Sequence, residues 1–168
     1  MGLKVAIVGL SPDTHDKAPF GNPEWQTWGM AWDGDWARLD RVFEMHAEID
    51  PEDYPKGYLE RLEYANPVTQ ANYPLDAVIK TVGRDYFQSS IAYMLALAIH
   101  EGAEEIAIFG CSMGDDTDYG YQRANAEYLV GVAVGRGIHV HIESPSALCE
   151  YKPEALRYHY PTRYGWAE

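Results

Sequence analysis

Residues 90–100 read Ser-Ile-Ala-Tyr-Met-Leu-Ala-Leu-Ala-Ile-His, a helical stretch that is apolar on nearly every side. Ser89 and Ser90 open it, and Gly102 closes it. A helix without a polar face has to be buried, which calls for a sheet to bury it against. The chain supplies short β-branched runs of the right kind. Lys-Val-Ala-Ile-Val-Gly over 4–9 is a fully buried strand stopped by a glycine turn, and 42–46, 105–109 and 138–142 read as further strands. A second helix over 121–136 places Ala126, Leu129, Val130 and Ala133 on one face and is capped by Gly137. Strands and helices in alternation imply an α/β fold with a mainly parallel sheet. The expectation is a single Rossmann-like domain over 1–168, the tail 144–168 packing on it.

The remaining segments read less sharply. Residues 51–64 make a helix after Pro55, and 66–73 are irregular. Residues 74–82 are either a helix begun by proline or a strand at 77–81. The stretch from Leu10 to about Gly34 reads as one long loop carrying Trp25, Trp28 and Trp32, and loops of that length are usually functional. The Tyr-rich tail ends in a short helix at 153–159.

Composition narrows the function. The 168 residues carry 13 Lys+Arg against 26 Asp+Glu, a formal charge of −13. That excludes a nucleic-acid polymer as the main partner and leaves a small nucleotide-type ligand. No stretch is long and apolar enough for a membrane, the run ending at Gly9 is too short for a signal segment, and Cys111 and Cys149 make no CxxC. The expected compartment is the cytoplasm; self-association into a homo-oligomer stays open. Aromatic residues reach 13%, with 13 Tyr and 5 Trp, which points to stacking surfaces.

Ligands of parallel sheets sit beyond the carboxyl ends of the strands. Here that edge gathers the loops at 9–13, 44–46 and 110–120. Gly9 and Ser11 follow the first strand, where amides free of a side chain can meet a phosphate. Neither GxGxxG nor GxxxxGK[ST] is present, so no dinucleotide cofactor or P-loop is expected. Glu44 and His46 share a strand face near Arg41 and form a candidate acid/base and anion-binding set, with core-edge pairing equally open. Gly110 and Ser112 lie in the third loop, and Trp28 in the first. Tyr119, Tyr121, Gln122 and Arg123 crowd the start of the second helix. An Arg at a helix N-terminus is unfavourable unless an anion answers it, either a ligand or Glu127 one turn on. Asp115, Asp116 and Asp118 lack the spacing of a calcium loop, and His139 and His141 lack a zinc ligand set. No metal and no cofactor is called for.

The blocks Asp85-Tyr-Phe-Gln-Ser-Ser-Ile-Ala-Tyr-Met, Glu105–Gly110 and Tyr121-Gln-Arg-Ala-Asn-Ala-Glu-Tyr-Leu-Val-Gly resemble a family of phage and prophage proteins. Trp28-Gly-Met, Asp40-Arg-Val-Phe-Glu-Met-His46 and Pro74-Leu-Asp-Ala-Val-Ile fit the same family. Ser89-Ser-Ile-Ala-Tyr-Met, with the helix, strand and Tyr-bearing loop that follow, is more distantly similar to small bacterial sialyltransferases and to a pterin pyrophosphokinase-like group. The sialyltransferase resemblance implies a Rossmann-like fold that handles a cytidine nucleotide-sugar without a metal. Its matching positions are Gly9 and Ser11, Ser89 and Ser90, and Tyr119 with Tyr121, the histidine base being left open between His141 and His159. This chain is shorter and lacks the Gly-Asn-Gly-Pro-Ser that follows strand one in those enzymes. The reading that results is a phage-type nucleotide or nucleotide-sugar binding protein, a glycosyltransferase-like group transferase. Tyr119, Tyr121 and Arg123 steady the leaving phosphate, and Glu44 or His46 is the base. The alternative is a non-catalytic binder that sequesters a nucleotide-derived host signal.

Overall fold

Hydrogen-bonded side by side in the order β4-β3-β2-β1-β5-β6 are β1 (Lys4–Val8), β2 (Gln26–Met30), β3 (Arg41–Glu44), β4 (Val68–Thr69), β5 (Glu105–Phe109) and β6 (His139–Ile142). Every pairing is parallel. The helices are α1 (Tyr58–Ala65), α2 (Leu75–Val82), α3 (Ser90–His100) and α4 (Thr117–Gly135). The computed structural model describes residues 2–32, 36–47, 54, 56–114 and 117–150. The helix expected at 153–159, and Asp115 and Asp116, lie outside them.

The α/β parallel sheet expected from the sequence is present, and α3 occupies the predicted span. Ser89 caps it by accepting a hydrogen bond from the Ala92 amide at 3.3 Å. Eight of its residues, from Ile91 to Ile99, are buried. They pack on Val5, Ile7, Trp28, Phe43, Ile106 and Ile108, which face one side of the sheet together with α2 and α4. The alternate residues of the same strands, Ala6, Val8, Ala107 and Phe109, face the other side and meet Ala18, Phe20, Trp25 and Leu39. Alanines there let a loop lie close to the sheet where a helix would otherwise stand.

Three elements differ from the sequence reading. The long loop from Leu10 contains β2, because Gln-Thr-Trp-Gly-Met gains two parallel neighbours, β1 and β3, which local composition does not reveal. The segment 66–73 contributes the two-residue β4. The second helix begins at Thr117, so Tyr119 and Gly120 are helical. The ambiguous 74–82 segment is the helix α2.

The chain steps outward from β1 through β2 and β3 to β4, then returns across the sheet to place β5 on the opposite flank of β1. The strand order therefore reverses between β1 and β5. That is the switch point at which a parallel sheet leaves a crevice.

Candidate functional site

At the switch point the ends of β1 and β5 touch through backbone. The Gly9 amide donates to the Phe109 carbonyl at 2.8 Å, and the Ser11 amide to the Gly110 carbonyl at 2.8 Å. The Gly110 amide donates to the Thr14 hydroxyl at 2.7 Å, with Thr14 itself buried. A Cβ on Gly9 would lie 2.4 Å from the Gly110 oxygen, and one on Gly110 would lie 2.2 Å from the Gly9 oxygen. Gly110 also has φ +64. Both positions therefore require glycine.

These two loops floor a cleft of about 1040 Å³. Gly9, Ser11, Gly110 and Ser112 line it from below, Ser89 and Ser90 from the N-terminus of α3, and Tyr119 and Gln122 from α4. Asn125 holds the α3 wall in place. Fully buried, its side-chain oxygen accepts from the Gln88 amide at 2.8 Å and its amide nitrogen donates to the Tyr86 carbonyl. Cys111 also faces the cleft, but burial pushes its thiol up to about 12, so it stays protonated at neutral pH.

The far end of the cleft is built from side chains. Glu44, the last residue of β3, is 4% exposed. The Tyr58 hydroxyl donates to its Oε2, and the His46 amide donates to its Oε1 at 3.1 Å. His46 Nδ1 meets the same Oε1. A carboxylate acceptor there places the imidazole proton on Nδ1 and leaves Nε2 as the ring's basic nitrogen. The His46 side chain is 64% exposed and lines the cleft, whereas Glu44 stands behind it. Burial, and then the hydrogen bond to Glu44, raise the Tyr58 phenol above its ordinary value. The Tyr54 hydroxyl lies 3.4 Å from His46 Nδ1.

Four sequence candidates lie elsewhere. Trp28 is wholly buried in β2, its ring beside Phe43 at 5.6 Å and its Nε1 donating to Gln26 at 3.1 Å. Arg41, at the opposite end of β3, pairs with Glu101 at 2.7 Å and lies over the Trp28 ring at 4.7 Å. Tyr121 is 74% exposed and is not among the cleft residues. Because α4 begins at Thr117, Arg123 falls in its second turn and not at the helix start the sequence suggested, and it is 3.8 Å from Glu127 one turn on. Tyr54 and Gln88 line the cleft without having been singled out, and so does Trp32, which the sequence marked only as one of the tryptophans of the long first loop. Nothing local separates Trp32 from Trp25 and Trp28, and Tyr54 reaches the site only through the fold. His141 pairs with Glu143 at 3.0 Å on the edge strand β6, and His159 is outside the described residues. Among the described residues no cluster of three or more His, Cys, Asp or Glu could hold a metal ion, and no helix is long and apolar enough to cross a membrane. Asp, Glu, Lys and Arg are also missing from the described residues that line the cleft.

A six-stranded parallel sheet with helices around it and a polar cleft at its switch point defines an α/β protein of Rossmann-like architecture. No protein-family model matches the chain, and no curated protein matches its sequence. Among solved structures it is similar to the sialyltransferase CstII from Campylobacter jejuni in complex with the substrate analogue cytidine-5'-monophosphate. That likeness has a TM-score of 0.45 at 18% identity and covers 88% of this chain and 82% of that one. The same enzyme in complex with CMP-3FNeuAc matches at a TM-score of 0.43 and 16% identity, covering 92% of this chain and 83% of that one.

Proposed function

We propose that the cleft binds a nucleotide or nucleotide-sugar and that the protein is a glycosyltransferase-like group transferase of phage type, working in the cytoplasm of a host cell. The observation that carries this reading is the pairing across one cleft of two unlike surfaces. A floor of serines, backbone and the α3 N-terminus faces a histidine whose Nδ1 is engaged by a buried carboxylate.

The hydroxyls of Ser89, Ser90 and Ser112, with the partial positive charge of the α3 N-terminus, suit a phosphate. With no Lys or Arg among the described lining residues, that donor set favours one phosphate over a string of them. Tyr119 is better placed than Tyr121 or Arg123 to steady it. His46 Nε2 is then the base. It takes the proton of an acceptor hydroxyl, whose oxygen forms the new bond to the transferred carbon of the donor. The carbon–oxygen bond to the nucleotide phosphate breaks, and its electron pair leaves on that phosphate. Glu44 does not reach the reactants in this scheme; it orients the imidazole and stabilises the imidazolium that forms.

Thermal denaturation with panels of nucleotides, nucleotide-sugars and cyclic dinucleotides tests the reading. A ligand held at a hundred times its Kd adds about 2.7 kcal/mol to stability, a clear rise in Tm. No rise with any of them overturns it. A nucleotide-sugar that binds yet is never turned over, in the presence of any acceptor, favours the sequestering binder instead.

A further inference from the structure

Trp32 follows β2 directly, lines the cleft and leaves 51% of its surface exposed there. Its orientation is held by other rings. Tyr54 meets it edge-to-face at 5.0 Å and 69°, and Tyr58 lies 6.2 Å away. Tyr54 in turn packs on the buried Tyr58 at 4.5 Å. The three rings form a ladder from the core to the cleft, so the half-exposed indole rests on a braced support. The ladder is also joined to His46, whose ring centroid is 6.5 Å from that of Tyr54.

We infer that Trp32 and Tyr54 form a stacking subsite for the acceptor, and that the acceptor is a neutral, ring-bearing alcohol. The inference rests on the proposed role of His46 as base. Whatever stacks beside His46 must then carry the hydroxyl that loses its proton. The phosphate surface at β1 and β5 lies two and three strands from β3, roughly 10 Å or more from His46, with Trp32 just past the end of the intervening β2. The ladder stands beside His46, with the Tyr54 ring centroid 6.5 Å from that of His46, so it is assigned to the partner that loses the proton. An aromatic face at this spacing takes the flat apolar face of a sugar or a base, and leaves hydroxyls at the ring edge directed toward His46. Neutrality follows from the surroundings. The chain has a net charge of −13, and no Lys or Arg among the described lining residues would compensate an anionic acceptor. Pyranosides and nucleosides share this chemistry.

The test uses the full chain with methyl β-glucopyranoside and methyl β-galactopyranoside in one arm and uridine and adenosine in the other. Binding is followed by saturation-transfer NMR and by quenching of indole fluorescence. At least one arm is expected to bind the parent protein and to quench it, identifying the source of the ring. Trp32→Phe keeps an aromatic face, so it should still bind but lose the quench assigned to the Trp32 indole. Trp32→Ala should weaken binding by about tenfold or more. Equal binding by the parent and Trp32→Ala overturns the subsite, as does an unchanged quench in Trp32→Phe. Silence in both arms from a parent protein that does bind nucleotides overturns it too, and leaves the nucleotide reading standing. Ring probes that bind through Trp32 while no nucleotide raises the Tm support the subsite as a ring-binding surface, and count against the donor.

Discussion

At the β1–β5 end of the cleft the chain is held backbone to backbone, two glycines crossing with carbonyl oxygens where side chains would be. At the β3 end the contacts run through side chains, from buried Tyr58 to buried Glu44 to exposed His46. The first arrangement is rigid and chemically plain: it shapes a surface and offers dipoles. The second presents an exposed imidazole to the cleft while a buried carboxylate holds its Nδ1 from behind. The contrast teaches that the floor tolerates almost no substitution for reasons of fold, while the far wall can be altered for reasons of chemistry.

Alanine at Gly110 should be the most damaging change. It combines a steric collision with backbone and a left-handed φ, together about 3 kcal/mol or more by urea unfolding. A variant as stable as the parent would show that the two loops part easily and that the floor is not rigid. Glu44→Gln should cost less, about 1–3 kcal/mol, because the buried hydrogen-bonding positions of Tyr58 and His46 are imperfectly met. Its larger signature is functional: nucleotide binding should persist while turnover falls by about a hundredfold or more. Unchanged turnover would remove Glu44 from any part in orienting His46.

The pH limbs of stability separate the two ends further. Tyr58 has its phenol raised by burial and by Glu44, so the folded state holds its proton more tightly than the unfolded chain does. Its contribution is complete below the ordinary tyrosine value of about 10 and is lost as pH climbs above it. Tyr73, raised first by burial, adds to the same alkaline limb. Tyr58→Phe should flatten that limb in part, read as unfolding free energy against pH. Glu143 behaves oppositely. The hydrogen bond from Lys17, and then that from His141, lower its carboxyl, so its contribution is present above the ordinary value of 4.5 and lost as pH falls through the lowered one. Lys17 joins Glu143 at 2.8 Å and the Ser144 carbonyl at 3.0 Å, tying the β1 loop to the end of β6. Because the pair is exposed, Glu143→Gln should change the acid limb least of all, and added salt should shrink the parent's limb toward the variant's.

Legibility in the sequence followed the range of the interactions. Lys4–Val8, Glu105–Phe109 and Ser90–His100 could be read directly because each carries its own pattern, β-branched runs or unbroken apolarity, within a few residues. Gln26–Met30 could not, since a polar residue, a threonine and a glycine surround one tryptophan and only pairing on both flanks makes it a strand. The same ambiguity made Trp28 a candidate ligand residue when its ring belongs to the core, and left Trp32, four residues on, undistinguished from the other tryptophans of its loop. Arg41 and Glu101 are sixty positions apart in sequence, so their ion pair could not be foreseen.

By itself the sequence determined the α/β class, the buried central helix and the edge of the sheet where polar residues collect, because hydrophobic periodicity and glycine stops are local properties of the chain. It also brought Glu44 and His46 together near the end of β3, although the strand stops at Glu44 and His46 lies two residues beyond it, so the two share no strand face. Which of the two faces the cleft was decided only by tertiary structure. Tyr58, arriving from α1, draws the carboxylate inward and leaves the imidazole outside. Contacts of that kind depend on elements that are distant in sequence being folded onto one another.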